Sequence, residues 1–162
     1  MRTRSIWLVW LALTCSASAA APMAAQIDSI TLERTLCYGT CPVYKVTVRR
    51  DGTVTYDGKQ FVRATGRRMR KIPARQFQEL ASEVLRVGFF DFKAKYSYKN
   101  NPDGSAEFIT DQPTRITTVR AGKLHKRVEN YYGGPESLAL LEKLIDKLTG
   151  SAEWTGRNPN ET

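Results

Sequence analysis

Tyr44-Lys45-Val46-Thr47-Val48-Arg49-Arg50-Asp51-Gly52-Thr53-Val54-Thr55-Tyr56 is the stretch whose reading decides the fold class. Apolar or aromatic side chains recur at every second position on both sides of an Asp-Gly pair, the period of two half-buried strands folded into a hairpin. Register selects the turn. A two-residue loop pairs Arg49 with Val54 and sends Val48 and Val54 to opposite faces. A three-residue loop, Arg50 to Gly52 with Gly52 left-handed, pairs Val48 with Val54 and Val46 with Tyr56. A slip of one residue turns every side chain over, so the three-residue loop is predicted. A second Asp-Gly, Asp57-Gly58, reads as a two-residue turn that pairs Val54 with Phe61. The expectation is a three-stranded meander with Val46, Val48, Val54, Tyr56 and Phe61 on one face.

Working outward, Ile27 to Thr35 has strand character and leads into a turn from Cys37 to Pro42. Gly66 to Lys71 reads as an edge strand. Pro73 opens a helix in which Phe77, Leu80, Ala81, Val84 and Leu85 form one apolar stripe, with Gly88 as its stop. Phe89 to Phe92 reads as a short extended segment and Lys93 to Pro113 as a long polar loop. Thr114–Arg120 and Lys123–Val128 form a second hairpin about Ala121-Gly122, with Val119 opposite Leu124. Gly133-Gly134-Pro135 opens a last helix whose buried face is Leu138, Leu141, Leu144, Ile145 and Leu148. Turns between strands are tight and no helix crosses between neighbouring strands of the meander. The fold class is therefore α+β: an antiparallel sheet, made of a strand meander plus a second hairpin, with two helices packed on one face. The domain is expected over residues 27–149, with residues 150–162 as a polar tail whose Trp154 can tuck back onto the domain.

The N-terminus predicts export. Arg2 and Arg4 precede an apolar run, Ile6 to Leu13, and small residues follow from Ser16 to Ala21, so residues 1–21 read as a cleaved signal peptide. The run is too short to span a bilayer, and no transmembrane segment is expected. A rival reading attaches lipid to Cys15 and anchors the protein to a membrane. The formal charge of +9 falls to +7 once Arg2 and Arg4 are removed. So basic a domain, placed in the periplasm or outside the cell, favours an anionic envelope component or an envelope protein as partner. Nucleic acid is disfavoured by compartment and because no aromatic residues interleave with the arginines.

Cys37 and Cys41 remain after cleavage, an even pair in an oxidising compartment, and read as a disulfide. The alternative is a thiol–disulfide redox pair. Its C-x3-C spacing and the absence of a strand–helix pattern count against that alternative. Two cysteines and the lone His125 fall short of a zinc site, and His125 reads as a surface-strand residue. Asp103, Ser105, Glu107 and Asp111 bring oxygen ligands to one loop but without EF-hand spacing, so a solvated loop is expected. No nucleophile motif appears, so no catalytic residue, metal or cofactor is assigned. Arg67, Arg68 and Arg70 belong to a basic strip, either a charged edge guarding against aggregation or an anion site. Tyr131-Tyr132 before the last helix reads as helix entry or, with Tyr38, as a recognition surface.

Ile30-Thr31-Leu32, Cys37-Tyr38-Gly39-Thr40-Cys41-Pro42-Val43-Tyr44, Asp51-Gly52-Thr53-Val54, Thr110 to Thr114 with Ile116 to Val119, and Tyr131 to Leu138 together resemble a bacterial family of exported domains, domain of unknown function 6438. The resemblance covers roughly Ile27 to Leu148. It implies export, a single domain and an α+β fold, and it brings no activity. The function expected is a non-catalytic binding or interaction module. Its contact surface is expected at Tyr38, Tyr131 and Tyr132, with Arg67, Arg68 and Arg70 as the anionic contact.

Overall fold

The predicted register is found: Val48 pairs with Val54 and Val46 with Tyr56, and Gly52 is left-handed at φ 78°. A Cβ on Gly52 would lie 2.3 Å from the Ile72 carbonyl oxygen, so the turn needs glycine for space as well as for its backbone angle. A computed structural model of the chain describes residues 26–156. The expected signal peptide, with its Cys15, and residues 157–162 of the expected tail lie outside the described residues.

A seven-stranded sheet in the order β4-β3-β2-β1-β8-β9-β5 organises the fold. Its strands are β1 (Ile27–Arg34), β2 (Val43–Arg49), β3 (Thr53–Gln60), β4 (Gly66–Lys71), β5 (Lys95–Ser97), β8 (Arg115–Ala121) and β9 (Leu124–Tyr132). A separate two-stranded ribbon joins β6 (Lys99–Asn100) to β7 (Ala106–Glu107). Every pairing in the large sheet is antiparallel except β5 with β9, which run parallel. The fold is α+β as expected, but the sheet is mixed rather than purely antiparallel.

Among the described residues there are three α-helices: α1 (Ala74–Arg86) between β4 and β5, and after β9 α2 (Glu136–Thr149) and the short α3 (Ser151–Thr155). Phe77, Leu80, Ala81 and Val84 of α1 and Leu138, Leu141 and Ile145 of α2 are buried against Ile30, Leu32, Val46, Val48, Val54, Tyr56, Val119 and Val128 of the sheet. A register shift in β1 between Ile27 and Ser29 brings Ile27 and Ile30, three residues apart, into this same core.

Several expectations are corrected. Asp57-Gly58 is not a turn. β3 runs on through Gly58, which pairs with Tyr44 on one side and Gly66 on the other, and the chain reverses only after Gln60. Phe61 is left out of the core and 45% exposed. Gly58 stays in the strand because the chain crowds it: a Cβ there would fall 2.1 Å from the Ala64 carbonyl oxygen. In the second hairpin Val119 pairs with Lys126, and Leu124 pairs with Ala121. The slip is two residues, so faces are kept, but Leu124 moves to the turn and is exposed. Phe89–Asp91 is a 3-10 turn, and the segment expected as one long loop contains β5, β6 and β7.

The described part of the expected polar tail, to Gly156, is structured. Gly150, left-handed at φ 68°, ends α2 and starts α3. Backbone bonds from Arg63 and Ala64 to the carbonyls of Thr155 and Trp154 dock it on the β3–β4 connection. Trp154 packs on Tyr56 with ring centres 4.9 Å apart, and the Arg70 guanidinium lies 4.1 Å above the indole.

Candidate functional site

At the end of the sheet below the Cys37–Cys41 turn, the inward-facing row changes from apolar to polar. Tyr44, Arg34, Arg115 and Asn130 are successive cross-strand neighbours on β2, β1, β8 and β9. Helix α2 places Glu142 and Asp146, one turn apart, on the face that covers this row, and both are buried. Arg34 donates from Nε and Nη2 to Asp146 Oδ2 at 3.1 and 2.7 Å, and from Nε to the Tyr44 hydroxyl at 3.0 Å. The Tyr44 hydroxyl and Ser151 Oγ donate to Asp146 Oδ1 at 2.5 and 2.6 Å. Beside them Asn130 Nδ2 donates to both oxygens of Glu142 at 3.1 Å. Arg115 Nε lies 3.2 Å from Glu142 Oε2, close enough for an ion pair but off the line of a hydrogen bond. Two guanidiniums and two carboxyl groups thus meet beneath one helix.

The electrostatics follow from this burial. Burial first, then the Asp146 carboxylate, pushes the Tyr44 phenol well above its ordinary range. Burial opposes the Arg34 charge, but Asp146 and Tyr44 outweigh it and hold the guanidinium above its usual value. Burial raises the Glu142 carboxyl to about 7, although Arg115 and Asn130 pull it back. These groups are acids and bases without access: Asp146, Glu142 and Ser151 are all 3% exposed or less. The network's chemistry is to fix the strand ends on which the surface above is built.

That surface is the disulfide-closed turn and its neighbours. Cys37 and Cys41 are bonded, with Cα atoms 5.8 Å apart. Thr35 N–H donates to Thr114 O at 3.1 Å and Tyr38 N–H to Asp111 O at 3.3 Å, which ties the turn to the segment before β8. Tyr131 reaches the same segment, its hydroxyl donating to Ile109 O at 3.1 Å. Tyr132 donates to Glu107 of β7. Tyr38 is 88% exposed, Phe108 69% and Leu36 56%, and Tyr98 stacks on Phe108 at 5.4 Å. A cavity of about 290 Å³ opens beside the turn, between Leu36, Val43 and Lys59, with Arg34 and Tyr44 in its lining. Gly133 lets the chain pass here: at φ 78°, a Cβ would lie 2.0 Å from the Tyr98 carbonyl oxygen.

The family model for domain of unknown function 6438 matches residues 28–149, a span that holds the turn, the Arg34–Asp146 and Asn130–Glu142 contacts and nearly all of the sheet. The chain belongs to that family. Among curated proteins, none matches it. In this DUF6438 domain the residues singled out from sequence fall into two groups. Tyr38, Tyr131 and Tyr132 converge on the 107–111 segment with Cys37 and Cys41. Arg67, Arg68 and Arg70 lie on β4, five strands from β9, roughly 24 Å away at ordinary strand spacing. They do not act as one strip either. Arg67 lines a groove on the uncovered face, Arg68 and Arg70 lie at the opposite parity, and Arg70 is held by Glu153 and Trp154. His125 is exposed on β9, opposite Arg120. Asp103 accepts from the backbone and hydroxyl of Ser105, and among the described residues no three His, Cys, Asp or Glu side chains converge as metal ligands. No described helix of the DUF6438 domain is long and apolar enough to cross a membrane.

Sequence reasoning missed the buried polar network, although its signal was present. Arg34 follows Ile30 and Leu32 at the inward parity of β1, and Tyr44 leads Val46 and Val48. Glu142 and Asp146 fall four and eight residues after Leu138 on the apolar stripe of α2. Polar residues at core positions on three elements can only be accommodated if they meet.

Proposed function

We propose that the protein is an exported, non-catalytic interaction module that docks an envelope protein at its disulfide-closed end. The observation that carries this reading is the exposure of Leu36, Tyr38, Tyr98 and Phe108 around a turn held by the Cys37–Cys41 bond and by backbone bonds to Asp111 and Thr114. Exposed aromatic side chains on a rigid support are what protein recognition uses, because little freedom is lost on binding. The ionisable groups best suited to chemistry are buried in mutual contacts, which supports a binding role over a catalytic one. Export is supported by the Arg2–Arg4 and Ile6–Leu13 pattern and by the cysteine pair, which belongs in an oxidising compartment. The rival, thiol–disulfide exchange, has no helix N-terminus at either cysteine to hold a thiolate.

A photo-crosslinking residue placed at Tyr38, with one at the exposed Leu140 of α2 as control, tests the docking end. The expected result is one defined envelope protein captured from position 38 and lost in Phe108→Ala. Equal capture from both positions, or none from position 38, overturns the reading.

A further inference from the structure

The helices cover one face of the sheet, and β2, β3 and β4 leave the other bare. Alternating with the buried Tyr44, Val46 and Val48 are Lys45, Thr47 and Arg49, which face outward with Thr55 of β3 and with Arg67 and Met69 of β4. Together with Asp57 these residues line a groove of about 290 Å³. Thr47 and Thr55 are cross-strand partners on its floor. Arg49 and Arg67 stand at opposite corners, four residues apart along the strands and two strands apart across them, or roughly 16 Å by ordinary strand geometry. The other charges of the groove are engaged: Lys59 holds Asp57 at 2.6 Å, and Glu33 holds Lys45 at 3.0 Å. Among the described residues neither Arg49 nor Arg67 forms an ion pair; Asp57, the cross-strand partner of Arg67, is held by Lys59.

We propose that this groove binds an acidic glycan chain. A guanidinium grips a carboxylate or phosphate with two parallel hydrogen bonds, and two of them at a fixed separation select a ligand with repeated negative groups. Between them lies a polar, uncharged floor of Thr55 and of Thr47, whose hydroxyl bonds that of Thr31 at 2.9 Å and keeps acceptor capacity for sugar hydroxyls. The groove carries no aromatic side chain, so it has no platform for the bases of a single-stranded nucleic acid. An acidic peptide would use the arginines but leave the threonine hydroxyls without an array of hydroxyl partners, and the glycan satisfies both. The groove adjoins the cavity beside the disulfide-closed turn, sharing Lys45 and Asp57 with it, and of the basic strip on β4 only Arg67 belongs to it.

The test measures binding of a labelled linear oligouronate to the full chain, beside its methyl-esterified, uncharged counterpart and a poly-glutamate of similar charge. The expected result is binding of the oligouronate in preference to both, weakened as salt is raised. Arg49→Ala with Arg67→Ala weakens it at least about tenfold, because charge-assisted hydrogen bonds are lost at both corners. Arg75→Ala with Arg86→Ala removes the same charge from exposed positions of α1 and leaves affinity within about twofold. Thr47→Val with Thr55→Val weakens oligouronate binding a few-fold and leaves any poly-glutamate binding unchanged. Thermal melts confirm that each variant is folded. The proposal is overturned if no oligouronate binds, if poly-glutamate binds as tightly, or if both arginine pairs have the same effect.

Discussion

Arg34 and Asp146 form an ion pair of 2.7 Å with side-chain exposures of 7% and 2%, joining the central strand to the long C-terminal helix across 112 residues of sequence. Removing one partner leaves a buried charge without compensation, so Asp146→Ala is expected to lower stability by about 3–5 kcal/mol in urea unfolding. Replacing Arg34 and Asp146 together by Met and Leu is expected to cost less than the two single changes summed, since no orphan charge remains.

Glu142 makes stability depend on pH in the reverse of the usual carboxylate sense. Its carboxyl is raised by burial from 4.5 to about 7, so between those values the folded state holds a proton that the unfolded state has released. Its contribution is complete below about pH 4.5 and is lost as pH rises to about 7, on the order of 3 kcal/mol over the window. Urea midpoints measured at intervals across this range are expected to fall for the wild type. Glu142→Gln, which cannot titrate, is expected to show a flatter profile. Equal slopes in the two proteins would show that Glu142 does not titrate there.

Trp154 closes an aromatic stack on Tyr56, which itself stacks on Tyr44 at 5.5 Å, and carries the Arg70 guanidinium on its other contact. Trp154→Ala removes a ring pair and a cation–π contact, so a loss of roughly 1–2 kcal/mol beyond the area term is expected. The Tyr56 hydroxyl is buried without a hydrogen-bond partner, and burial raises it to about 12. In Trp154→Ala, spectrophotometric titration is expected to find a tyrosine ionising nearer its ordinary range.

The Cys37–Cys41 bond encloses only a short ring, so loop entropy gives it roughly 2 kcal/mol. The backbone bonds from Thr35 and Tyr38 to the Asp111–Thr114 segment remain when it is cut. The Cys37→Ser, Cys41→Ser variant is therefore expected to fold, with a modest loss of stability and faster amide exchange confined to residues near the turn. Global unfolding of that variant would show that the bond holds the domain rather than its tip.

Alternation made the first hairpin legible, because in Val46, Val48, Val54 and Tyr56 only one register puts all four inward. The same rule misplaced the next turn. Asp57-Gly58 has turn composition, but Gly58 is there because Ala64 and the Tyr56 ring press on it within the sheet. Close approach and turn geometry ask for the same residue, and sequence does not separate them. The candidate docking end was legible in Cys37, Cys41 and Tyr38, whereas its support was not. Arg34, Tyr44, Asn130, Glu142 and Asp146 are each unexceptional in a local window and become a unit only when β1, β2, β9 and α2 are brought together. The groove on the bare face was hidden for a related reason. Arg67 and Arg68 are neighbours in sequence, yet strand parity sends them to opposite faces.

The order β4-β3-β2-β1-β8-β9-β5 has a consequence for how the molecule is put together. Each half of the sheet is one uninterrupted run of chain, residues 27–71 on one side and 95–132 on the other, and β1 with β8 is the single seam between them. Each half can form its hairpins from near neighbours, but the seam must wait for partners some eighty to ninety residues apart, the slow step in closing such a sheet. Helix α2 lies across that same seam, with Asp146 bonded to Arg34 and Tyr44 of the first half and Glu142 facing Asn130 and Arg115 of the second. It works as a late fastener: its buried charges are fully matched only after the two halves have met in register.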